Sequence, residues 1–271
     1  MTVEIDLQPL PPAEAIEYFR RKGYAIGFDW RDVWAEEHQV AFTVAKAMSI
    51  DLLMDIRGAV DQAIADGITF DAFRKQLEPV LQAKGWWGKQ LVTDPKTGET
   101  VPAQLGSRRR LDIIYDTNLR TAHAAGGWHR IERTKDLLPW LAYHQIDRPS
   151  KRKAHIPFDG LVLPVDDPFW DHYYPPNGWK CKCSVHQYTD GQLDRLGLKP
   201  SASPAIDLVP WQNDRTGETV WVPKGIDPGF DQNVGKTDRR AQAAQRLRDK
   251  QALIQEPAAT PAPPPISPQK R

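Results

Sequence analysis

Apolar residues recur at the three- and four-residue spacing of amphipathic helices through much of the N-terminal part of the chain. The clearest stripe covers 52–64, where Ser49 is placed to cap the start of a helix and Gly67 its end. A second stripe begins after Thr69 and covers 70–81. These patterns predict consecutive helices whose apolar faces form part of a core.

Three further features belong to the same region. A short helix is predicted after Pro12, since proline favours the first turn of a helix. Pro79 is expected to kink or break the helix that begins after Thr69. A further helical stripe is predicted between residues 30 and 48. It consists of Trp30, Val33, Trp34, Ala41, Val44 and Met48.

The pattern changes to strands and turns at residue 88. Residues 88–106 surround a turn rich in Asp, Pro and Gly, which predicts a β-hairpin. Residues 211–221 repeat its Thr-Gly-Glu-Thr-Val string and predict a second hairpin. Both are interpreted as ordinary surface hairpins, with contact to a partner protein as the alternative.

The middle of the chain mixes both element types. Ser107 is placed to cap a long helix, in which Gly126 and Gly127 either end the helix or allow close packing. Residues 140–146 and 161–165 predict strands, and Thr189 is placed to cap a short helix. A basic helix is then predicted from about Asp238 to Ile254.

The predicted fold class is therefore α+β. It comprises a helical N-terminal part, a mixed α/β core with β-hairpins, a C-terminal basic helix and a disordered Pro-rich tail. The predicted units are 1–87 (helical N-terminal region), 88–106 (β-hairpin insertion), 107–235 (mixed core), 236–256 (basic helix) and 257–271 (Pro-rich tail).

Charge is unevenly distributed although the net charge of the chain is only +1. Residues 1–80 carry −6, residues 81–153 carry +7, and the remainder is neutral. Basic clusters stand at 108–110, 148–153 and 236–250. Such clusters are found at DNA phosphates, at acidic protein surfaces and on ordinary solvated faces, and charge alone leaves all three open.

Composition excludes two broad classes. No apolar run is long enough to span a membrane, and the first ten residues lack the features of a secretory signal. The only cysteines, Cys181 and Cys183, are too few for a disulfide scaffold. We therefore expect a protein made in a reducing cytoplasm.

The best candidate for a metal site is His155 with Cys181 and Cys183, and His172 or His186 is the candidate for a further ligand. Structural zinc takes four thiolate or imidazole ligands, and a second cysteine pair is missing. The sequence therefore predicts no metal site and much less than one zinc per chain. The favoured interpretation makes the cysteines reduced strand residues, one inward and one outward, and has His155 hydrogen-bond the loop, for instance to Asp159.

Other catalytic signals are weak. Asp166, Asp167 and Asp171 lack the spacing of a calcium loop, so turn and cap roles are favoured. No phosphate-binding loop and no Gly-x-Ser-x-Gly elbow is present. Neighbouring Lys180 and Lys182 can lower a thiol pKa, but no oxyanion-hole signature follows. The sequence predicts no catalytic residue and no cofactor.

An aromatic run between residues 169 and 179 is too apolar for a free loop. We expect it either to fold back on the core or to anchor a partner, because Trp and Tyr are the usual anchors of protein interfaces.

Several strings, in order, resemble phage Mu F-like head proteins over about residues 11–235. They are Pro12 to Lys22, Trp30, Glu37-His38, Ala41 to Ala47, Gly85 to Gly88, Asp116 to Ala122 with Gly126, Arg148, His155, Phe158 to Trp170, Tyr174 to Trp179, Cys181 to Cys183 and Gly225 to Phe230. Within this resemblance, 107–235 is the Mu F-like core. Related proteins can carry Cys-x-x-Cys where this chain has Arg148-Pro149-Ser150-Lys151.

The resemblance implies a minor capsid protein that acts in head morphogenesis of a Mu-like tailed phage. It implies low copy number and association with the portal and head interior. The expected partners are the portal protein and the major capsid protein, with self-association and weak, non-specific contact with packaged DNA, and no membrane. The expected location is the virion head, and the host cytoplasm during assembly.

An enzyme packaged in the phage head, metal-dependent or toxin-like, is the alternative. Only the Pro-rich tail follows the last helix, so we expect no fused toxin module. We therefore expect a protein that is not an enzyme.

Overall fold

The computed structural model describes residues 12–147, 151–236 and 240–255, with side chains up to Lys250. Its α-helices are α1 (Ala13–Arg20), α2 (Glu37–Val40), α3 (Ile50–Asp66), α4 (Phe70–Ala83), α5 (Arg108–Thr134), α6 (Phe169–Tyr173), α7 (Asp190–Leu196) and α8 (Arg240–Gln255). Its strands are β1 (Gly23–Tyr24), β2 (Ala41–Phe42), β3 (Lys89–Thr93), β4 (Thr100–Gln104), β5 (Trp140–His144), β6 (Val162–Pro164), β7 (Ser184–Tyr188), β8 (Leu208–Asn213) and β9 (Glu218–Pro223). A 3₁₀ helix covers Lys153–Phe158. The α+β prediction is confirmed.

The strands form several small sheets rather than one large one. β1 pairs with β2 in parallel, while β3–β4 and β8–β9 are the two predicted hairpins. The central sheet is antiparallel in the order β6-β5-β7, and Ala142 of β5 pairs with Val162 on one side and His186 on the other.

Local capping sets the helices of the N-terminal part. The Ser49 side chain accepts a hydrogen bond from the backbone N–H of Leu52 at 3.2 Å, and Gly67 ends α3 with a φ of 64°. Thr69 caps α4 in the same way. Pro79 lies inside α4, which continues to Ala83, so of the predicted kink or break the break is wrong.

The helical stripe predicted between residues 30 and 48 is also wrong. Only α2 is helical in this segment, and β2 forms a strand within it. Asp29 and Asp32 divert the backbone: Asp32 accepts from the N–H of Asp29, and Asp29 accepts from the N–H of Arg31. Such local bonds compete with helix formation, and the apolar side chains are buried by tertiary contacts instead.

Helix α5 runs through two hydrophobic clusters and joins them. Leu111 and Ile114 lie in a cluster with α1, α3 and α4, whereas Trp128 and Ile131 lie in a cluster with the central sheet. At Gly126 the backbone of α1 approaches closely, since a Cβ there would lie 2.9 Å from the Ala15 nitrogen. Of the two roles predicted for the glycine pair, close packing is therefore confirmed.

The predicted basic helix is present as α8, while residues 237–239 and the predicted Pro-rich tail lie outside the described residues. Among the helices that the structure describes, none combines the length and apolar character needed to span a bilayer.

Candidate functional site

The structure brings His155, Cys181 and Cys183 together. His155 lies in the 3₁₀ helix, and both cysteines lie in the loop that precedes β7. The sulfurs of Cys181 and Cys183 lie 3.8 and 3.4 Å from Nδ1 of His155. All three residues are buried, with exposures of 1% for Cys181, 9% for Cys183 and 0% for His155. The expectation of one inward and one outward strand cysteine is therefore wrong.

The far nitrogen of His155 fixes the orientation of its ring. Nε2 lies 2.9 Å from the carbonyl oxygen of Gly225, which can only accept a hydrogen bond. This contact assigns the proton to Nε2 and leaves the Nδ1 lone pair facing the two sulfurs. The predicted partner Asp159 is wrong, because its carboxylate accepts from the backbone N–H of Gln145 instead.

The pKa values of the two thiols are shifted in opposite directions. Hydrogen bonding from Cys183 lowers the pKa of Cys181 against the opposing effect of burial. The same contact and burial raise the pKa of Cys183. Of the two thiols, Cys183 is therefore the one that keeps its proton, which makes Cys183 a poor nucleophile.

Polar contacts hold the loop that carries the cysteines. Asn177 is fully buried, and its amide donates to the Tyr143 hydroxyl at 3.0 Å and to the Tyr173 carbonyl at 3.1 Å. The guanidinium of Arg152 binds both carboxylate oxygens of Asp227, at 2.6 and 2.8 Å. Asn177 thus holds the loop to β5, and Arg152, which also donates to the Trp179 carbonyl at 2.6 Å, holds it to the segment after β9.

A cleft of about 470 Å³ lies beside the cluster, between α5 and the segments 174–176 and 183–185. Asp116 and Arg120 line it from α5, and Tyr174 and Cys183 line it from the other side. Lys182 forms an ion pair with Asp116. Parts of the string 116–122 and of the neighbouring strings 174–179 and 181–183, far from it in sequence, thus meet at one place.

The histidines proposed as further ligands lie elsewhere. His172 contacts the Asp231 carbonyl through Nδ1 at 3.0 Å. His186 lies in β7, with its ring 4.5 Å from that of His144. Within the described residues, the metal-competent group that includes the cysteines consists of His155, Cys181 and Cys183.

The three carboxylates considered for a divalent cation have separate partners. Asp166 accepts from Lys135 at 2.8 Å, Asp167 accepts from the backbone N–H of Phe169 at 2.9 Å, and Asp171 pairs with Lys236. For Asp167 this contact is the turn role that the sequence favoured, directly before Pro168 at the start of α6.

The basic clusters are largely engaged within the chain. Arg110 donates to the Ala45 carbonyl at 2.6 Å, and burial lowers its pKa to about 10. In α8, Arg246 pairs with Glu36 and Lys250 pairs with Glu37, which is 2% exposed. The basic helix therefore docks on the acidic N-terminal part of its own chain. Residues 148–150 lie outside the described ones.

Most of the aromatic run folds back on the core, as one of the two expectations stated. Phe169, Trp170, Tyr173 and Tyr174 are buried. Trp179 is 37% exposed and packs on Phe230, with ring centroids 5.0 Å apart.

Comparison with known proteins identifies the family. The family model described as "Phage Mu protein F like protein" matches residues 54–186, which include His155, Cys181 and Cys183. The chain belongs to this phage Mu F-like family. The resemblance inferred from the sequence motifs is thereby confirmed.

Two relatives of the Mu F-like family match at length. The chain is 39% identical over 230 residues to "Putative capsid assembly protein F" of Escherichia phage Mu, covering 85% of this chain and 49% of the relative. It is 38% identical over 178 residues to "Mu-like prophage FluMu F protein" of Haemophilus influenzae, covering 66% of this chain and 42% of the relative. The chain thus spans about half the length of either relative or less. No solved structure matches it significantly.

Sequence reasoning missed several residues that shape the Mu F-like site. Gly225 supplies a carbonyl to His155, and Tyr143 and Asn177 hold the cysteine loop. The strings around Asn177 and Gly225 belong to the motifs that carry the family resemblance. Their order was readable from the sequence, but their convergence on one histidine was not.

Proposed function

We propose that this chain is a structural head protein, a minor capsid protein that acts in head morphogenesis of a Mu-like tailed phage. The observation that carries the proposal is its 39% identity, over 85% of its length, to a protein named for capsid assembly in phage Mu. The role is structural rather than enzymatic. The engagement of Asp166, Asp167 and Asp171 with partners of their own supports this assignment.

The proposed partners are the portal protein and the major capsid protein, at low copy number and toward the head interior. The β8–β9 hairpin offers a surface for such contacts. Leu208 and Trp221 are 50% and 59% exposed, and Trp221 stands opposite Pro210 in the hairpin register. Exposed Trp side chains are frequent anchors in protein interfaces. The proposed locations are the virion head and, during assembly, the host cytoplasm.

Deletion of the gene from the phage tests the proposal. Defective or empty heads are expected, while host lysis proceeds normally. Mass spectrometry of purified heads should find this chain at a small fraction of the major capsid protein. The Trp221→Ser variant should fold but enter heads less often than the wild type. Infectious particles of normal yield from the deletion would refute the assignment.

We further propose that proteins, including other copies of this chain, rather than DNA are the main partners of the basic clusters. The pairing of Arg246 with Glu36 and of Lys250 with Glu37 supports this, because it already neutralises part of α8. Contact with packaged DNA is then weak and sequence-independent.

A titration of duplex DNA at low and moderate salt tests this preference. Weak binding that collapses with salt is expected, since log affinity falls by about 0.9 per phosphate contact per log unit of salt. Neutralising Arg246 and Arg248 should change the affinity for DNA little. Tight binding that persists at moderate salt and is lost in the Arg246→Gln, Arg248→Gln variant would favour DNA instead.

A further inference from the structure

The cluster of His155, Cys181 and Cys183 has the dimensions of a metal site. Its ligand atoms all lie within 4.8 Å of one another, and its sulfur-to-nitrogen distances are 3.8 and 3.4 Å. A tetrahedral zinc ion with bonds of about 2.3 Å to sulfur and about 2.0 Å to nitrogen separates each sulfur from the nitrogen by about 3.5 Å and the two sulfurs by about 3.8 Å. A single ion therefore fits between the three atoms with little movement of the chain.

The environment of His155 supports a ligand role. Imidazoles that bind metals through one nitrogen usually donate the other N–H to a carbonyl or carboxylate, as His155 does to Gly225 at 2.9 Å. The remaining lone pair on Nδ1 accepts only one S–H hydrogen. Hydrogen bonding to the imidazole therefore satisfies one of the two buried thiols, whereas a bound ion engages both.

The charges also balance. Two thiolates and a neutral imidazole with a divalent ion leave no net charge in the buried cluster. Arg152 and Lys182 line the narrow cleft beside the sulfurs, and each is itself paired, with Asp227 and Asp116. The borderline-soft ion that suits two thiolates and one imidazole is zinc.

We propose that His155, Cys181 and Cys183 bind one Zn²⁺ ion, whose fourth position faces the cleft lined by Gln145 and Lys151 and holds water. The ion joins the 3₁₀ helix to the loop before β7 and, through Gly225, to the turn after β9. The sequence alone favours the absence of zinc because a second cysteine pair is missing. The geometry supplies three buried ligands without that pair, and it does so independently of any role in the phage head.

Elemental analysis of the full chain tests the proposal. Protein purified under reducing conditions, loaded with zinc chloride and dialysed against metal-free buffer should retain about one zinc per chain. Cys181→Ser and Cys183→Ser should lower this occupancy by roughly tenfold or more. His186→Gln is the matched control, because His186 is an exposed histidine outside the cluster, and it should retain the wild-type zinc content.

Cobalt substitution of the wild-type chain keeps the test decisive if a serine variant fails to fold. Chelator-treated protein titrated with Co²⁺ should show a thiolate-to-cobalt charge-transfer band and tetrahedral d–d bands that saturate at one equivalent. Zinc should abolish the bands, slow the reaction of both thiols with a disulfide reagent and raise the melting temperature.

Three results would overturn the proposal. They are folded, reduced wild-type protein that gives neither retained zinc nor a tetrahedral cobalt spectrum, a Cys181–Cys183 disulfide in freshly isolated protein, and equal loss of zinc in His186→Gln and in the cysteine variants.

Discussion

Burial changes the ionisation of individual side chains near the start of the chain. Lys22 is 7% exposed, with its ammonium 4.9 Å from the centre of the Tyr18 ring, and burial lowers its pKa to about 7. Burial together with the charge of Lys22 lowers the pKa of the partly buried His38 to about 4. Folding therefore disfavours the charged form of both groups, which couples folding to pH.

We predict that His38→Gln flattens the pH dependence of stability in mildly acidic solution. The pKa of His38 is about 4 in the folded chain and about 6.5 unfolded, so between these values the unfolded state binds the proton. The free energy of unfolding of the wild type should fall as pH falls through this window, by up to about 1.4 kcal/mol per pH unit from this residue. Gln cannot titrate.

Urea unfolding at several pH values measures the effect as the difference between wild type and variant. Carboxylates elsewhere contribute equally to both proteins and cancel in that difference. Parallel stability curves from pH 4 to pH 6.5 would show that His38 is not the group responsible.

At the scale of elements, packing against α5 decides which small residues are required. α1 crosses α5 at Gly126, where a Cβ would meet the Ala15 nitrogen at 2.9 Å and the Glu14 Cβ at 3.2 Å. Gly58, in the middle of α3, faces open space, and a methyl group added there would meet nothing within 4 Å. The same residue type thus has opposite roles in two helices.

We predict opposite effects of the same substitution at these two glycines. Gly126→Ala should destabilise the protein by about 1–3 kcal/mol, because the added methyl group separates α1 from α5. Gly58→Ala should stabilise it by about 0.5–1 kcal/mol through helix propensity alone. Chemical denaturation measures both, and a gain in stability for Gly126→Ala would refute the close crossing.

For the whole molecule, Arg215 joins three distant parts of the chain. Its guanidinium donates to Asp32 at 2.7 and 3.1 Å and also pairs with Asp94, and its side chain is only 10% exposed. The turns of the two hairpins and the N-terminal segment therefore meet at one side chain. This contact lowers the pKa of Asp94 and raises that of Arg215.

We predict that Arg215→Met destabilises the fold by about 3–5 kcal/mol, because two carboxylates are left close together without a cation. The matched control is Arg20→Ala, which removes an exposed ion pair with Asp61 and should cost about 1 kcal/mol or less. Thermal and urea unfolding measure both variants. A loss for Arg215→Met no larger than that of the control would show that the three segments are held together by other contacts.

The sequence by itself determined the local elements and the family. Ser49, Thr69, Ser107 and Thr189 each cap a helix as predicted, because capping depends on a side chain and the backbone within three residues of it. Both hairpins follow in the same way from their turn residues. The ordered motifs identified the phage Mu F-like family, which the family comparison confirmed.

Only the tertiary structure decided the contacts between residues that lie far apart in the sequence. The 30–48 segment has helical spacing, yet bonds around Asp29 and packing against other segments outweigh it. The loop cysteines point inward to His155 because Asn177 binds Tyr143 of β5 and Arg152 binds the Trp179 carbonyl, contacts between segments that the sequence order does not show as neighbours. Periodicity and capping are local interactions, whereas the thiol–imidazole cluster forms only when segments far apart in sequence are packed together.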